Sequence, residues 1–226
     1  MLPVLPAQAA ANPNYYLSVN MPKIELLPVL SQTIDKAKAL PISDERKQVL
    51  QKLIDYIQQK VDAKEEINLT FICTHNSRRS QFSQIWAQTA AQLYSIPAGC
   101  FSGGVEVTAF NERAVESIKR SGFRVAKKGD INPIYQVFYS DDADPIIAFS
   151  KLYDDPVNEA ERFAAVMTCD HADDNCPFIP GTESRIPVRY EDPKEFDNTS
   201  EETSKYDERS LQIASEMLYA FSKISI

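Results

Sequence analysis

The sequence predicts an α/β fold: an open parallel sheet with helices on both faces, an inserted β-hairpin and an N-terminal helical extension. Three observations predict it. Short apolar runs alternate with segments of helical periodicity. The runs INLTFIC (67–73) and FAAVMTC (163–169) are apolar throughout, as strands covered on both sides must be. Between them, PIYQVFYS and IIAFSK flank the turn DDADP, the pattern of an antiparallel hairpin.

Residues 1–20 contain Ala7-Gln8-Ala9-Ala10, which looks like a signal-cleavage site. No Lys or Arg precedes Lys23, however, and Pro3 and Pro6 interrupt the apolar part, so this stretch reads as a disordered extension. Residues 21–66 read as a helical segment packed on the domain. Within it, Ser43 is a suitable N-cap and Asp44 and Glu45 favour the first turn. Val49, Leu50, Leu53, Ile54, Ile57 and Val61 then share one helical face up to about Lys60.

The strand 67–73 passes through THNSRRS into a helix carrying Ile85, Ala87, Ala90, Ala91 and Tyr94. A short strand at Cys100–Ser102 precedes Gly103-Gly104. The helix 112–121 follows, with Gly122 placed to end it. After the hairpin and the strand 163–169, RIPVRY gives a last strand, and a helix over 206–223 turns Leu211, Ala214, Leu218 and Phe221 inward.

The chain has 226 residues, 43% hydrophobic and 25% charged, which suits one large domain with an extension. A net charge of −8 argues against nucleic acid or an anionic membrane surface as partner. No apolar run approaches the roughly 20 residues that span a bilayer. Four cysteines in this length do not form a disulfide scaffold, so Cys73, Cys100, Cys169 and Cys176 must be read singly.

Cys73-Thr74-His75-Asn76-Ser77-Arg78-Arg79-Ser80 joins a strand to a helix at the carboxyl edge of the sheet, where such folds place their crevice. A loop this short aims successive amides inward, and the helix N-terminus adds positive potential. Those donors favour a thiolate at Cys73. Arg79 can grip two oxygens of a tetrahedral anion, and Ser80 can donate to the sulfur.

The string resembles the C-x5-R-S signature of low-molecular-weight protein tyrosine phosphatases and their arsenate reductase relatives. The resemblance implies the low-molecular-weight phosphatase-like fold, with flavodoxin-like strand order, over residues 67–226, and an insertion at about 123–162. It implies Cys73 as nucleophile and Thr74, His75, Asn76, Ser77, Arg78 and Ser80 as oxyanion-binding residues beside Arg79. Arg78 departs from those arsenate reductases that carry a cysteine there.

Cys169-Asp170-His171-Ala172-Asp173-Asp174-Asn175-Cys176-Pro177 resembles the paired-cysteine segment of thioredoxin-coupled arsenate reductases. By that resemblance Cys169 attacks the Cys73–arsenic adduct, and Cys176 carries the disulfide outward to thioredoxin or another dithiol reductant. Bridging requires Cα atoms within about 7 Å, so the polar, flexible intervening segment is expected to fold inward during turnover. A zinc site from Cys169, Cys176 and His171 is disfavoured by the spacing and by the lack of a second pair. No metal or cofactor is called for. Cys100 packs in its strand.

Of the Asp-Pro pairs at Asp144, Asp155 and Asp192, the last matches the family's general-acid loop, with Lys194 and Glu195 where phosphotyrosine enzymes place aromatics. The expected activity is arsenate reduction in the cytoplasm. The alternatives are phosphoester hydrolysis through phosphocysteine and a non-catalytic oxyanion or redox sensor.

Overall fold

The computed structural model describes residues 24–158, 161–175 and 179–226, so the reading of residues 1–20 and the position of Cys176 fall outside the described residues. The elements are α1 (Pro28–Ala39), α2 (Asp44–Ala63), β1 (Ile67–Cys73), α3 (Arg79–Leu93), β2 (Ala98–Gly104), α4 (Glu112–Arg120), β3 (Arg124–Lys128), β4 (Ile134–Phe138), β5 (Ile146–Ala148), β6 (Phe163–Met167), α5 (Asp170–Asn175), β7 (Thr182–Pro187) and α6 (Glu202–Ser222).

β2, β1, β6 and β7 form a parallel sheet in that order. β6 shows why both faces are covered. Its five residues are all buried, and alternate side chains divide between two apolar clusters. Ala164 and Val166 face the larger one, with side chains of α1 to α4 and α6. Phe163, Ala165 and Met167 face the smaller one, which α5 joins through Ala172. Helices therefore lie on both faces, unequally.

The local signals explain the boundaries. Ser43 Oγ accepts the amide of Arg46 at 3.2 Å and starts α2. α4 ends at Arg120, and Gly122 follows at φ +101°, a conformation a side chain would resist. Trp86 of α3 meets Phe123 edge to face at a centroid distance of 5.0 Å and donates Nε1–H to Ser210 Oγ of α6, tying the helical layer together.

Three elements differ from the sequence expectation. β2 is longer, because Gly103 and Gly104 continue the ladder opposite Ile72 and Cys73. The expected hairpin forms as β4 and β5, and β3 adds to it, making a three-stranded antiparallel sheet in the order β3-β4-β5. β3, RVAKK, is almost wholly exposed, so it has no buried face to give an alternating pattern. The last parallel strand spans Thr182–Pro187, earlier than RIPVRY, with a bulge in its pairing to β6. Among the described residues no helix is long and apolar enough to cross a membrane.

Candidate active site

β1 delivers Cys73 and α3 begins at Arg79, so the connecting residues turn at the carboxyl edge of the sheet. Their carbonyls are all taken. Thr74 O accepts the amides of Val105 and Glu106, both at 2.9 Å, and Ser77 O accepts that of Asn111 at 3.0 Å. His75 O accepts Ser150 Oγ–H at 2.9 Å, and Asn76 O accepts Gln81 Nε2–H at 2.9 Å. A trans peptide points its C=O and the following N–H in opposite directions. The amides of His75, Asn76, Ser77 and Arg78 therefore turn to the inner side of the loop, the arrangement of an anion nest. Asn76 completes the turn at φ +47°, which Asn tolerates better than most residues.

Cys73 is 4% exposed, and its Sγ lies 3.1 Å from Ser80 Oγ. Asn76 Nδ2 donates to that same Ser80 Oγ at 2.9 Å, which leaves the serine proton free to point at sulfur. Asn76 is fully buried, so its side chain orders the loop from within.

Arg79 Nη2 donates to Asp192 Oδ2 at 2.8 Å and Nη1 donates to Tyr190 O at 3.1 Å. Its Nε is buried without a hydrogen-bond partner among the described residues. Arg78 Nε donates to Asp192 Oδ1, also at 2.8 Å, so one carboxylate spans two guanidinium groups. Burial would raise the pKa of Asp192, but the charges of Arg79 and Arg78 outweigh it and hold the carboxyl below its ordinary value.

Side chains of several loop residues point elsewhere. Ser77 Oγ donates to Ala109 O at 2.7 Å, and His75 Nε2 lies 3.3 Å from Glu106 Oε2 at the rim. Their contact with an anion would run through the backbone.

Cys169 is 1% exposed and sits just beyond β6 in the same small apolar cluster as Cys73. Thr74 Oγ1 lies between, 3.6 Å from Cys169 Sγ and 3.3 Å from His171 Nδ1. The segment after Cys169, expected to be polar and flexible, includes the short helix α5. It is anchored to the strand side by charge. Arg185 Nε pairs with Asp173 Oδ1 at 2.7 Å, and Arg189 bonds Asp173 Oδ2 at 2.9 Å and Asp170 Oδ1 at 2.7 Å. Cys73, Cys100 and Cys169 are all free thiols, and burial pushes the Cys100 thiol pKa strongly upward. Among the described residues no cluster of His, Cys, Asp and Glu could hold a metal.

The insertion's exit strand supplies residues that the sequence reading did not single out. Ser150 bonds His75 O, Lys151 N donates to Asn76 Oδ1 at 3.0 Å, and Gln81 Nε2 spans Asn76 O and Phe149 O. Gly104 N donates to Lys151 O at 2.8 Å, and Tyr153 N donates to Gly104 O at 3.1 Å, extending the sheet edge. Gly103-Gly104 was the available signal. A Cβ on Gly103 would overlap Tyr153 Cα, and one on Gly104 would lie 2.8 Å from Asn76 N. Asp144 is exposed in the insertion turn, and Asp155 caps its own turn by accepting the amide of Val157 at 2.9 Å.

No family model matches the chain. Its sequence is similar to arsenate reductase 1 of Staphylococcus saprophyticus, 27% identical over 123 residues, which cover 54% of this chain and 76% of that protein. It is 28% identical over 123 residues to an arsenate reductase of Brevibacillus brevis, covering 54% and 74% respectively. A low-molecular-weight phosphotyrosine phosphatase of Vibrio cholerae superposes with a TM-score of 0.47 at 13% identity, covering 69% of this chain and 94% of that one. With the Cys73–Ser80 loop closing β1, the β2-β1-β6-β7 order and these sequence similarities, the chain is similar to the arsenate reductases and is an enzyme of their cysteine-dependent class.

Proposed function

We propose that the protein reduces arsenate to arsenite with electrons from thioredoxin or another dithiol protein. The Cys73 thiolate attacks arsenic and water departs. The Cys169 thiolate then attacks Cys73 Sγ, and the sulfur–arsenic electron pair stays on arsenic, which leaves as arsenite. Cys176 attacks Cys169, frees Cys73, and the Cys169–Cys176 disulfide passes its oxidation to the dithiol partner. By resemblance Asp192 stands at the family's general-acid position, and the loop amides with Arg79 hold the oxygens; the unmet Nε of Arg79 supports an anion in this position.

The observation that carries this reading is the β1–β6 register. Ile72 pairs with Met167, and Thr168 N donates to Ile72 O at 2.8 Å, so Cys169 stands one step beyond the residue opposite Cys73. One strand spacing and one step along the ladder separate the two Cα atoms by roughly 6 Å. That is within disulfide reach, with both side chains in one cluster. The first disulfide thus needs little inward folding. Hydrolysis of a phosphoester does not itself require a second thiol at this distance. Free thiols at these positions also suit a reducing compartment such as the cytoplasm.

Arsenate-dependent oxidation of reduced thioredoxin tests the reading. Cys73→Ser, Cys169→Ser and Cys176→Ser should each abolish multiple turnover, while the latter two keep hydrolysis of an aryl phosphate. Hydrolysis at neutral pH with no arsenite formed in the presence of thioredoxin would instead establish the phosphatase reading, which the contact of Asp192 with Arg79 favours.

A further inference from the structure

Asp192 is embraced from two sides. Arg79 takes Oδ2, and Arg78 takes Oδ1, which also accepts the amide of Lys194 at 3.1 Å. The two arginines are not equivalent. Arg79 already has an unmet buried donor, and an arriving anion draws its fork away from Asp192. The Arg78 bond does not face the same competition, since that guanidinium is spent on the carboxylate from the start. Its side chain is 10% exposed and that of Asp192 24%, so water screens the pair little.

We infer that Arg78 is a positioning residue that keeps Asp192 ionised after the anion has bound, and so confines the site to oxyanions whose departing oxygen needs no outside proton. This rests on the proposed attack by Cys73. Two kinds of substrate meet the condition. The dihydrogen arsenate monoanion brings both protons. With the Cys73 thiolate it gives the doubly charged Cys73–arsenate thioester and water, the sulfur–arsenic bond forming as one arsenic–oxygen bond breaks. An aryl phosphate with an acidic phenol departs as its aryloxide. Its dianion and the Cys73 thiolate give the phosphocysteine dianion and the free aryloxide, the sulfur–phosphorus bond replacing the phosphorus–oxygen bond. An alkyl phosphate, or the ester of a weakly acidic phenol, requires a proton on the leaving oxygen, and a carboxylate locked to Arg78 has none to give.

The groups facing Asp192 agree. Arg78 and Arg79 come from the loop and the start of α3, the Lys194 amide from its own segment, and Tyr206 from α6, whose hydroxyl donates to Asp197 at 2.8 Å. The field is cationic on the loop side, while on the helix side the charges of Asp197 and of the Arg209–Glu191 pair, at 3.0 Å, have partners of their own. This also explains what the basic pair Arg78-Arg79 does in an otherwise acidic chain: one arginine is for the substrate and one for the Asp192 carboxylate.

The test uses the full chain with Arg78→Leu and Arg78→Lys. Hydrolysis of a series of substituted phenyl phosphates is followed from pH 4 to 9, together with ¹³C-carboxyl titration of Asp192 in saturating inorganic phosphate. In the wild type, rates should fall steeply as the leaving phenol becomes less acidic. Arg78→Leu should raise the phenyl phosphate to p-nitrophenyl phosphate ratio about tenfold or more, move the Asp192 titration upward, and carry the pH profile with it. Arg78→Lys keeps the charge but not the guanidinium fork and should move both readouts part of the way, so it keeps the test open if the leucine variant does not fold. A parallel loss on all substrates, or an unchanged Asp192 titration in either variant, would overturn the assignment. Absence of any turnover by the wild type would refute the proposed function, while the carboxyl titration still decides whether Arg78 governs Asp192.

Discussion

Asn76 Oδ1 accepts the backbone amide of Lys151 at 3.0 Å, a bond across 75 positions that fastens the Cys73–Ser80 loop to the far end of the insertion. The insertion is therefore part of the site's support.

Asn76→Ala removes that bond and the one to Ser80 Oγ, and leaves the Lys151 amide without its acceptor. The expected loss is about 2–3 kcal/mol of stability by urea denaturation. The rate of Cys73 alkylation by iodoacetamide should also fall, because Ser80 is no longer oriented toward the sulfur.

Gly103→Ala would drive a methyl group into Tyr153 Cα. Either the insertion strand or the end of β2 must shift, at a cost of roughly 1–3 kcal/mol. Hydrogen exchange should locate the loosening at residues 149–153 and in the Cys73–Ser80 loop, with β6 and β7 unaffected.

Asp173 is held below its ordinary pKa: burial opposes this, and its bonds to Arg189 and Arg185 more than offset it. A depressed folded value stabilises the carboxylate form, so this anchor on α5 is fully present above the usual carboxylate range. It is lost as pH falls through the folded pKa. Exchange protection of 170–173 should accordingly be flat near neutrality and drop in acid. Asp173→Asn should expose Cys169 to thiol reagents already at pH 7.

Cys100 is buried in β2, and its thiol is pushed away from ionisation by that burial. Native alkylation should spare it while labelling Cys73. Cys100→Ala should cost about 1 kcal/mol and leave arsenate-dependent turnover unchanged.

Much of this was legible in residues. The extent of β1 could be read from INLTFIC because a strand buried on both faces must be apolar throughout. The N-cap of α2 could be read from Ser43-Asp44-Glu45, and the end of α4 from Gly122. The loop from Cys73 to Ser80 could be read because its chemistry is local. What was not legible depends on partners distant in sequence. β3 is a strand only because β4 lies beside it. α5 is helical over DHADDN because Arg185 and Arg189 reach back to it. The engagement of Arg78 with Asp192, 114 positions away, leaves no trace in the motif that contains it.

The loop carbonyls of Thr74, His75, Asn76 and Ser77 are held by four separate stretches of chain, at 105–106, 150, 81 and 111. A tetrahedral oxyanion offers only a handful of atoms to bind, too few to reward the ordering of a slack loop. Here the ordering is completed during folding. A small inorganic ion can consequently be caught tightly without any larger group to anchor it, because the loop it meets is already ordered.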